Sequence, residues 1–531
     1  MRLEKFAIRE KLERVPLPVW ILGLAVVVAF TIPIVYLVVR ALEAGTETWE
    51  LVFRIRTLKT MGRTLALVVA APLLSLTIAL PLAILTTRTN LPFRKTWSVL
   101  TVLPLVLPSY LYAFVLISSF RSDGLLGFLR YDIYGFPGAL LCITAVSYPY
   151  LLLPMRASLK GLDFSLEEAS KSLGHGHLST FRKVTLPLLR PAIASGSLLI
   201  ALYALRDFGA ISLMGYETFT WIIYSNYQMP FGGRMVAAGL SLILLLVALS
   251  LLFMETKTRS KARYHSSSEG SSEPDLIELG RWRWPAFLFC GFIVSAFLIF
   301  PMVVLGYWVV RGISAGQSLQ MYWGAAFNSL FASGLAALTV VLAAIPIALL
   351  TTRFSGKLSK LIEKSTYIGF ALPGVVIALA LVIVFVGTPL YQTIFVLIFG
   401  YMILFLPLAV GSIRTSLLQI NPTVEEVSRS LGKSAGETIG SITLPLSKYG
   451  ILAGGTLVFL VTMKELQATL LLGPLNFETL ATSIWHTTSE AFFARAAIAA
   501  LPLVLLSSVP MMILLIFWQR RGNHERISGS M

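Results

Sequence analysis

Two oppositely charged dipeptides lie inside stretches of the chain that are otherwise apolar. Arg206-Asp207 and Lys464-Glu465 each come 19 residues after the proline of a Leu-Pro pair, which on a helix is about 28 Å. Ionised side chains in an apolar medium need a partner or water, and adjacent helical residues do not face one another. We therefore expect contacts with another helix or with a watery pathway, and interpret these four residues as a gate. The alternative is that they reach to a nearby interface.

Other motifs that suggest chemistry lack the context that it requires. Residues 432–434 read Gly-Lys-Ser, like the end of a phosphate-binding loop, but the loop's earlier glycine is replaced by Val427 and no strand precedes it. The Asp-Phe-Gly of residues 207–209 lies within an apolar stretch. His175 and His177 have no third ligand nearby and no histidine counterparts in the repeat described next. We predict no catalytic residue, no metal site and no enzyme activity.

A polar segment of 21 residues occurs twice, at residues 167–187 and 425–445, with ten identical positions and an offset of 258. The repeat extends upstream at an offset of 265. There Thr-Thr-Arg at 86–88 matches 351–353, and Leu-Pro at 107–108 matches 372–373. The chain is therefore a tandem duplication, and its second half has lost seven residues between its third and fourth apolar stretches.

Each copy of the segment is predicted to begin with a short helix, at residues 166–173 and 424–431. Hydroxyl and carboxylate side chains three residues apart predict capping boxes at Ser165 with Glu168 and at Thr423 with Glu426. Gly174 and Gly432 stand where a left-handed C-terminal cap favours a residue without Cβ.

One weakly apolar stripe runs along each of these helices, on small and aliphatic residues. Its members are Leu166, Ala169, Ser170 and Leu173 in the first copy, and Val424, Val427, Ser428 and Leu431 in the second. A helix this short is marginal in water, so it must pack against its own protein or in a partner's groove. Two matched copies favour a partner that is itself a symmetric dimer.

The composition, 56% hydrophobic and 13% charged, is that of a membrane protein. Stretches of about 20 apolar residues indicate spanning helices. Twelve are found, near residues 18–43, 62–87, 96–119, 137–156, 187–214, 230–254, 285–311, 326–351, 365–386, 390–413, 445–472 and 492–519. We predict an all-α membrane protein with two parallel six-helix repeats.

The net charge of +17 is explained by topology, because most of the 43 basic residues lie in alternate loops that the positive-inside rule places in the cytoplasm. Both termini are then cytoplasmic, and no nucleic-acid partner is expected. Arg121 and Arg130 are among the few basic residues on the outer side. They suggest attraction to an acidic face of an external partner.

Three parts follow along the chain: a first half at 1–254, a linker at 255–284 and a second half at 285–531. The linker contains Ser-Ser-Ser-Glu-Gly-Ser-Ser-Glu-Pro-Asp at residues 266–275. Such a polar tract cannot bury a core, so it is interpreted as a flexible cytoplasmic tether.

The repeated segment resembles the cytoplasmic signature of bacterial ABC importer permeases, Glu-Ala-Ala, three residues, Gly, nine residues, Ile-x-Leu-Pro. Glu168, Gly174 and Leu186-Pro187 match it, as do Glu426, Gly432 and Leu444-Pro445, with Ser170 and Ser428 in place of the second alanine. The resemblance implies a type I permease with two fused halves in the bacterial inner membrane. It also implies two coupling helices that dock on a dimer of ABC ATPase subunits. ATP would be bound by those subunits, with no cofactor on this chain, and a periplasmic binding protein would deliver the substrate.

A shorter resemblance concerns the substrate. Residues 464–469, Lys-Glu-Leu-Gln-Ala-Thr, are similar to the Lys-Glu-Leu-Pro-Ala-Thr run of ferric iron importer permeases, with Gln467 in place of proline. This favours ferric iron, while thiamine, polyamine and phosphonate permeases remain alternatives. A twelve-helix secondary transporter is the rival class. Its usual Gly-x-x-x-Asp-Arg/Lys loop after the second span is not present in residues 88–95, Arg-Thr-Asn-Leu-Pro-Phe-Arg-Lys.

Overall fold

The computed structural model describes residues 17–43, 45–161, 165–229, 232–261, 276–317, 321–353 and 372–508, together with single positions between 359 and 369 and residue 510. These residues are almost entirely helical. Eight helices are long and apolar enough to cross a membrane, and two further pairs are bent by 90° and 68° at short breaks.

The helices of the first half are α1 Leu17–Leu42, α2 Thr46–Val52, α3 Ile55–Arg88, α4 Arg94–Leu100, α5 Ser109–Phe120, α6 Phe136–Lys160, α7 Ser165–Ser172, α8 His177–Thr180, α9 Leu186–Arg206, α10 Gly209–Leu213, α11 Phe219–Gln228 and α12 Gly233–Lys261. A 3-10 turn, Leu103–Val106, separates α4 from α5, and a π-helical turn, Phe181–Thr185, joins α8 to α9.

The second half repeats this order. Its helices are α13 Arg283–Val294, α14 Phe300–Ser314, α15 Trp323–Arg353, α16 Gly374–Phe385, α17 Ile394–Gln419, α18 Pro422–Ser430, α19 Ala435–Thr438, α20 Leu444–Leu446, α21 Lys448–Met463, α22 Gln467–Leu472, α23 Leu480–Ser489 and α24 Phe493–Ser508.

Each of the twelve predicted stretches contains a helix; ten are long enough to span a membrane when each bent pair counts as one, and the described parts of the ninth and twelfth are shorter. Three of the stretches are not continuous helices. The stretch at 96–119 bends by 90° between α4 and α5, where the residue before Pro108 is kept out of the helical region. The stretches at 187–214 and 445–472 break after Arg206 and Met463. The beginning of the ninth stretch and the end of the twelfth lie largely outside the described residues.

Two helices that were not predicted, α11 and α23, lie between the last two stretches of each half. The N-terminus of each is held by a hydroxyl from a long spanning helix. The amide of Phe219 donates to Thr64 (3.2 Å), and the amide of Leu480 donates to Ser329 (2.8 Å). Thr64 and Ser329 are related by the offset of 265.

Packing follows the duplication. In the first half α6 packs between α3 and α9, and in the second α17 packs in the same way between α15 and α21. The halves also exchange elements, because α1 packs on α15 and α16, while α14 packs on α5. The edge-to-face pair Phe30 and Phe399, with centroids 6.4 Å apart, joins α1 to the second half.

The linker is shorter than predicted at both ends. Helix α12 continues to Lys261, and Ile277 forms a parallel β-bridge with Thr89. The amide of Ile277 donates to the carbonyl of Arg88 (2.8 Å). The chain therefore rejoins the first half directly after α3, and the middle of the predicted tether lies outside the described residues.

Candidate functional site

Helices α7 and α18 lie where the repeated segment predicts a helix, and both end in a left-handed glycine. Gly174 has a φ of +83° and Gly432 a φ of +90°. The amides one residue further on, of His175 and Lys433, donate back to the carbonyls of Ser170 (3.2 Å) and Ser428 (3.3 Å). These bonds satisfy carbonyls that the helix end leaves free.

The capping box predicted for the second copy does not begin its helix, whereas that of the first copy stays a prediction. In the second copy the N-cap is Asn421, whose side chain accepts from the amide of Thr423 (3.1 Å). A capping box does form later, between Ser434 and Glu437, at the start of α19. Ser165 is the first helical residue of α7, and the residues before it lie outside the described part. Glu168 and Glu426 are exposed.

The predicted stripe is divided between two faces. Ser170 and Ser428 turn inward, are buried, and share hydrogen bonds with Thr180 (3.0 Å) and Thr438 (3.1 Å). The aliphatic members and Ala169 are exposed. Leu173 and Leu431, at the tips, are 79% and 80% exposed, whereas Leu166, Val424 and Val427 are about half exposed.

A buried ion pair holds each short helix to the end of a long spanning helix. In the first half Arg88, the last residue of α3, lies 2.5 Å from Glu167, which also accepts from Thr185 (2.7 Å). The exposed fractions of the Arg88 and Glu167 side chains are 7% and 14%. We call Arg88, Glu167 and Thr185 the first bracket.

The second bracket, Arg353, Glu425 and Thr443, repeats this arrangement. Arg353 lies 3.0 Å from Glu425, which accepts from Thr443 (3.0 Å). Arg353 also donates to the carbonyls of Leu417 (3.1 Å) and Ile420 (3.2 Å) at the end of α17. Each bracket thus joins a spanning helix, a short surface helix and the turn that leads into the next span.

The brackets were not predicted, although the duplication contained the signal. All six bracket residues are identical between the copies, at offsets of 265 for the arginines and 258 for the others. The prediction instead selected the second glutamate of each pair, Glu168 and Glu426. The side chains of the first glutamates, Glu167 and Glu425, are the ones buried against the protein.

The four charged residues Arg206, Asp207, Lys464 and Glu465 meet between the halves, at the breaks after α9 and α21. Asp207 accepts from the hydroxyl of Ser109 and from the amide of Ala210 (3.1 Å). At the equivalent place, Glu465 accepts from the amide of Ala468 (3.1 Å). Each carboxylate therefore caps the short helix that follows its break, instead of lying within a continuous span as predicted.

Hydrogen bonds cross between the halves at this point. The Lys464 ammonium donates to the carbonyl of Leu105 (2.9 Å), and the Gln467 amide donates to the carbonyl of Arg206 (2.7 Å). The oxygen of Gln467 accepts from the amide of Val375 (3.0 Å), at the start of α16. We call Arg206, Asp207, Lys464, Glu465 and Gln467 the central cluster.

A cavity of about 660 Å³ lies between the halves, and Ser212 and Leu213 at the end of α10 form part of its lining. Arg121, Arg130 and Tyr134 from the loop after α5 line it as well, together with Trp485 of the second half. The indole of Trp485 donates to Ser212 (2.9 Å). This loop is at the opposite end of the helices from α7, because α6 runs from it toward α7.

Substitution of the left-handed glycines tests whether the helix ends matter. Gly174→Ala with Gly432→Ala meets no atom within 4 Å, so the cost is backbone strain of about 1–2 kcal/mol at each position. If the resemblance to importer permeases holds, we expect reduced coupling of transport to ATP hydrolysis, with the protein still inserted. Asparagine, which tolerates this conformation, should restore part of the activity. Gly176→Ala, equally unobstructed but without a positive φ, is the control. If the double variant reduced coupling no more than Gly176→Ala does, the expectation would be contradicted.

Comparison with known proteins agrees with the duplication, because one family model matches each half of the chain. The family model described as "Binding-protein-dependent transport system inner membrane component" matches residues 75–256 and again 341–522. The chain is 35% identical to the Fe(3+)-transport system permease protein FbpB 2 of Haemophilus influenzae, over 94% of this chain and 98% of that protein.

Two further relatives are more distant or shorter. The Ferric transport system permease protein FbpB of Actinobacillus pleuropneumoniae is 26% identical over 73% of this chain and 60% of its own length. The Molybdenum transport system permease protein ModB of Escherichia coli is 34% identical over 36% of this chain and 88% of its own length. The resemblance to ABC importer permeases is thereby confirmed: the chain belongs to the family of binding-protein-dependent transport system inner membrane components, and carries the family's domain twice.

Proposed function

We propose that this chain is the transmembrane pathway of an ATP-driven importer of ferric iron. Relatives that cover 94% and 73% of the chain are named as ferric transport permeases, and residues 464–469 resemble the ferric iron group independently of those names. The chain is a multi-pass inner membrane permease and not an ATPase, since ATP hydrolysis in this family belongs to a separate subunit.

An ATPase and a periplasmic binding protein are the partners that membership of the family implies. Two matched surface helices support the finer proposal that the ATPase is a dimer, with α7 and α18 as the two coupling helices. ATP would be bound by that dimer and no cofactor by this chain. The distribution of basic residues supports cytoplasmic N- and C-termini.

The two brackets are the observation that best supports a mechanism for coupling the ATPase to the spanning helices. Closure of the ATPase dimer on ATP would move α7 and α18 together. Because Glu167 and Glu425 are tied to Arg88 and Arg353, that movement would reach the ends of α3 and α15. Thr185 and Thr443 would carry it into α9 and the segment that leads to α21. The central cluster, at the far ends of α9 and α21, would then open toward the outer cavity as the gate.

Reconstitution tests this function directly. The chain, its ATPase and its binding protein are placed in proteoliposomes, and ATP-dependent uptake of ferric iron is compared with uptake of thiamine, a polyamine, a phosphonate and molybdate. We expect ferric uptake that requires both ATP and the binding protein. Uptake of another cargo alone would overturn the iron assignment, and uptake that persists without ATP would overturn the importer in favour of a secondary transporter.

An oxyanion is the second candidate cargo. The cations Arg206 and Lys464 of the central cluster, together with Arg130 of the cavity, would attract a negatively charged solute. The likeness to the molybdenum permease supports the same alternative. The molybdate arm of the uptake experiment decides between the two.

Arg130 is a point where the binding protein can dock. It is exposed, has no ion-pair partner among the described residues, and stands at the rim of the outer cavity, whereas Arg121 pairs with Asp123 (2.9 Å). Arg130→Glu should raise the concentration of binding protein needed for half-maximal uptake by roughly threefold to tenfold at low salt, because complementary charge mainly speeds association. The difference should shrink at high salt. Equal values at low salt would contradict this docking point.

A further inference from the structure

Tyr110, at the start of α5, is a buried polar group that the coupling mechanism does not use. It is 2% exposed, and its hydroxyl has no hydrogen-bond partner among the described residues. Burying a hydroxyl without a partner costs free energy. The hydroxyl interacts electrostatically with Glu465 of the other half, which places it beside the central cluster.

The segments that carry the two carboxylates of the central cluster pack together beside Tyr110, and Asp207 and Glu465 interact electrostatically. A Cβ on Gly209, two residues after Asp207, would lie 3.0 Å from the Cβ and Cδ1 atoms of Tyr110 and 3.1 Å from Cδ2 of Leu466, the residue after Glu465. Asp207 itself is bonded to the neighbouring Ser109. In the second half Glu465 occupies the matching place, with its Oε1 2.8 Å from where a Cβ on Gly374 would be. Gly374 and Ser109 correspond at the offset of 265.

We propose that Tyr110, Asp207 and Glu465 form a transient site for the ferric ion as it passes between the halves. This inference rests on the proposed function. Phenolate and carboxylate oxygens are hard ligands that suit a hard, highly charged cation, and their three negative charges equal the charge of the ion. Binding releases the phenol proton to water while the iron–oxygen bond forms, with no change of oxidation state.

The site lies one short helix away from the outer cavity. Gly209, the first residue of α10, packs against Tyr110, and Ser212 and Leu213 near its other end line the cavity. Five residues of helix span about 7.5 Å. In this proposal a shift of α10 away from Trp485 would connect the cavity to the three oxygens, so that the ion enters from the side of the binding protein.

Cations of the central cluster hold the site while it is empty. Arg206 interacts electrostatically with Glu465, and Lys464 is held by the Leu105 carbonyl. A buried carboxylate without a counter-charge is costly, so Arg206 compensates Glu465 until the metal replaces it. An oxyanion cargo would use these cations instead, and would have no need of Tyr110.

The test is Tyr110→Phe in the full complex with its ATPase and binding protein. Removing an unbonded hydroxyl from a packed ring leaves stability unchanged or raises it, so a merely structural Tyr110 predicts unchanged uptake. The site predicts a loss of ferric uptake of roughly tenfold or more, the order seen when groups around a metal are removed. Tyr449→Phe, at an exposed tyrosine on α21, is the matched control.

A spectroscopic measurement distinguishes loss of iron binding at this site from a non-specific loss of transport activity. When ferric iron is supplied to the complex during turnover, we expect a visible phenolate-to-iron charge-transfer absorption beyond that of the loaded binding protein alone. It should be lost in Tyr110→Phe and kept in Tyr449→Phe. Glu465→Gln and Asp207→Asn keep an acceptor for the amides of Ala468 and Ala210 but remove the charge, and should also lower uptake roughly tenfold.

The outcomes distinguish this site from the proposed function. Absence of ferric uptake by the unaltered complex would overturn the iron assignment and this site with it. Normal ferric uptake by both the unaltered complex and Tyr110→Phe, without a charge-transfer band, would overturn the site alone. Molybdate uptake that depends on Arg206 and Lys464 would replace it with an oxyanion site.

Discussion

Replacing Glu167 and Glu425 together by glutamine is expected to stop ferric uptake while the ATPase stays bound and continues to hydrolyse ATP. Each change leaves a largely buried arginine, Arg88 or Arg353, without its counter-charge, which costs about 3–5 kcal/mol for a buried pair. Helices α7 and α18 are too short to be stable alone. Without the brackets, movement of the ATPase would displace these helices and not the spans.

The measurement is uptake and ATP hydrolysis on the same proteoliposomes. Lys171→Gln is the matched control, because Lys171 is an exposed charge on α7 without an ion-pair partner among the described residues. Exchanging the pair, Arg88→Glu with Glu167→Arg, should recover part of the uptake that either change alone removes. Full uptake in the double glutamine variant would show that the brackets do not transmit the movement.

Leu173→Asp together with Leu431→Asp is expected to release the ATPase from the permease. These side chains are 79% and 80% exposed, so the permease itself loses no packing and its thermal unfolding should not change. If each leucine fills a groove of the ATPase as an anchor, its loss costs about 2 kcal/mol, which is roughly 30-fold in affinity per copy.

Co-purification of the ATPase with the permease measures this effect. Leu475→Asp provides the control, since Leu475 is 77% exposed but lies in the loop after α22, on the outer side. We expect the ATPase to be retained in the control and lost in the double variant. Retention in both would place the ATPase contact elsewhere on the cytoplasmic face.

Local signals in the sequence predicted much of the architecture. Apolar length located the spans, and the two glycines located the ends of α7 and α18 because a positive φ favours glycine at one chain position. The duplication predicted two equivalent halves, and the match of the family model to each half agrees with it. Each of these features depends on residues close together in the chain.

The features that were missed depend on residues far apart. Arg88 and Glu167 are separated by 79 positions, so no helical or strand spacing connects them. The helix predicted to be capped by Thr423 begins two residues earlier, because Asn421 is its N-cap and Pro422 its first residue. The breaks at Asp207 and Glu465 were read as helix because their sequences are apolar on both sides. Only the fold shows that the carboxylates cap new helices.

Contacts within the fold account for six of the ten identities in the repeated segment. Glu167, Ser170, Thr180 and Thr185 form the bonds that hold α7 to the protein, and Leu173 and Gly174 form its exposed tip. Identity between the copies thus marks both the attachment of the helix and its exposed tip. The prediction treated the whole stripe as one contact surface, because a helical stripe can be read from spacing alone.

The number of ferric ions taken up for each ATP hydrolysed tests the central claim most directly. It is measured in proteoliposomes with the unaltered chain, with Glu167→Gln and Glu425→Gln combined, and with Leu173→Asp and Leu431→Asp combined. We predict that the bracket variant lowers this ratio toward zero while hydrolysis continues, and that the tip variant loses uptake by losing the ATPase. An unchanged ratio in the bracket variant would contradict transmission through the brackets.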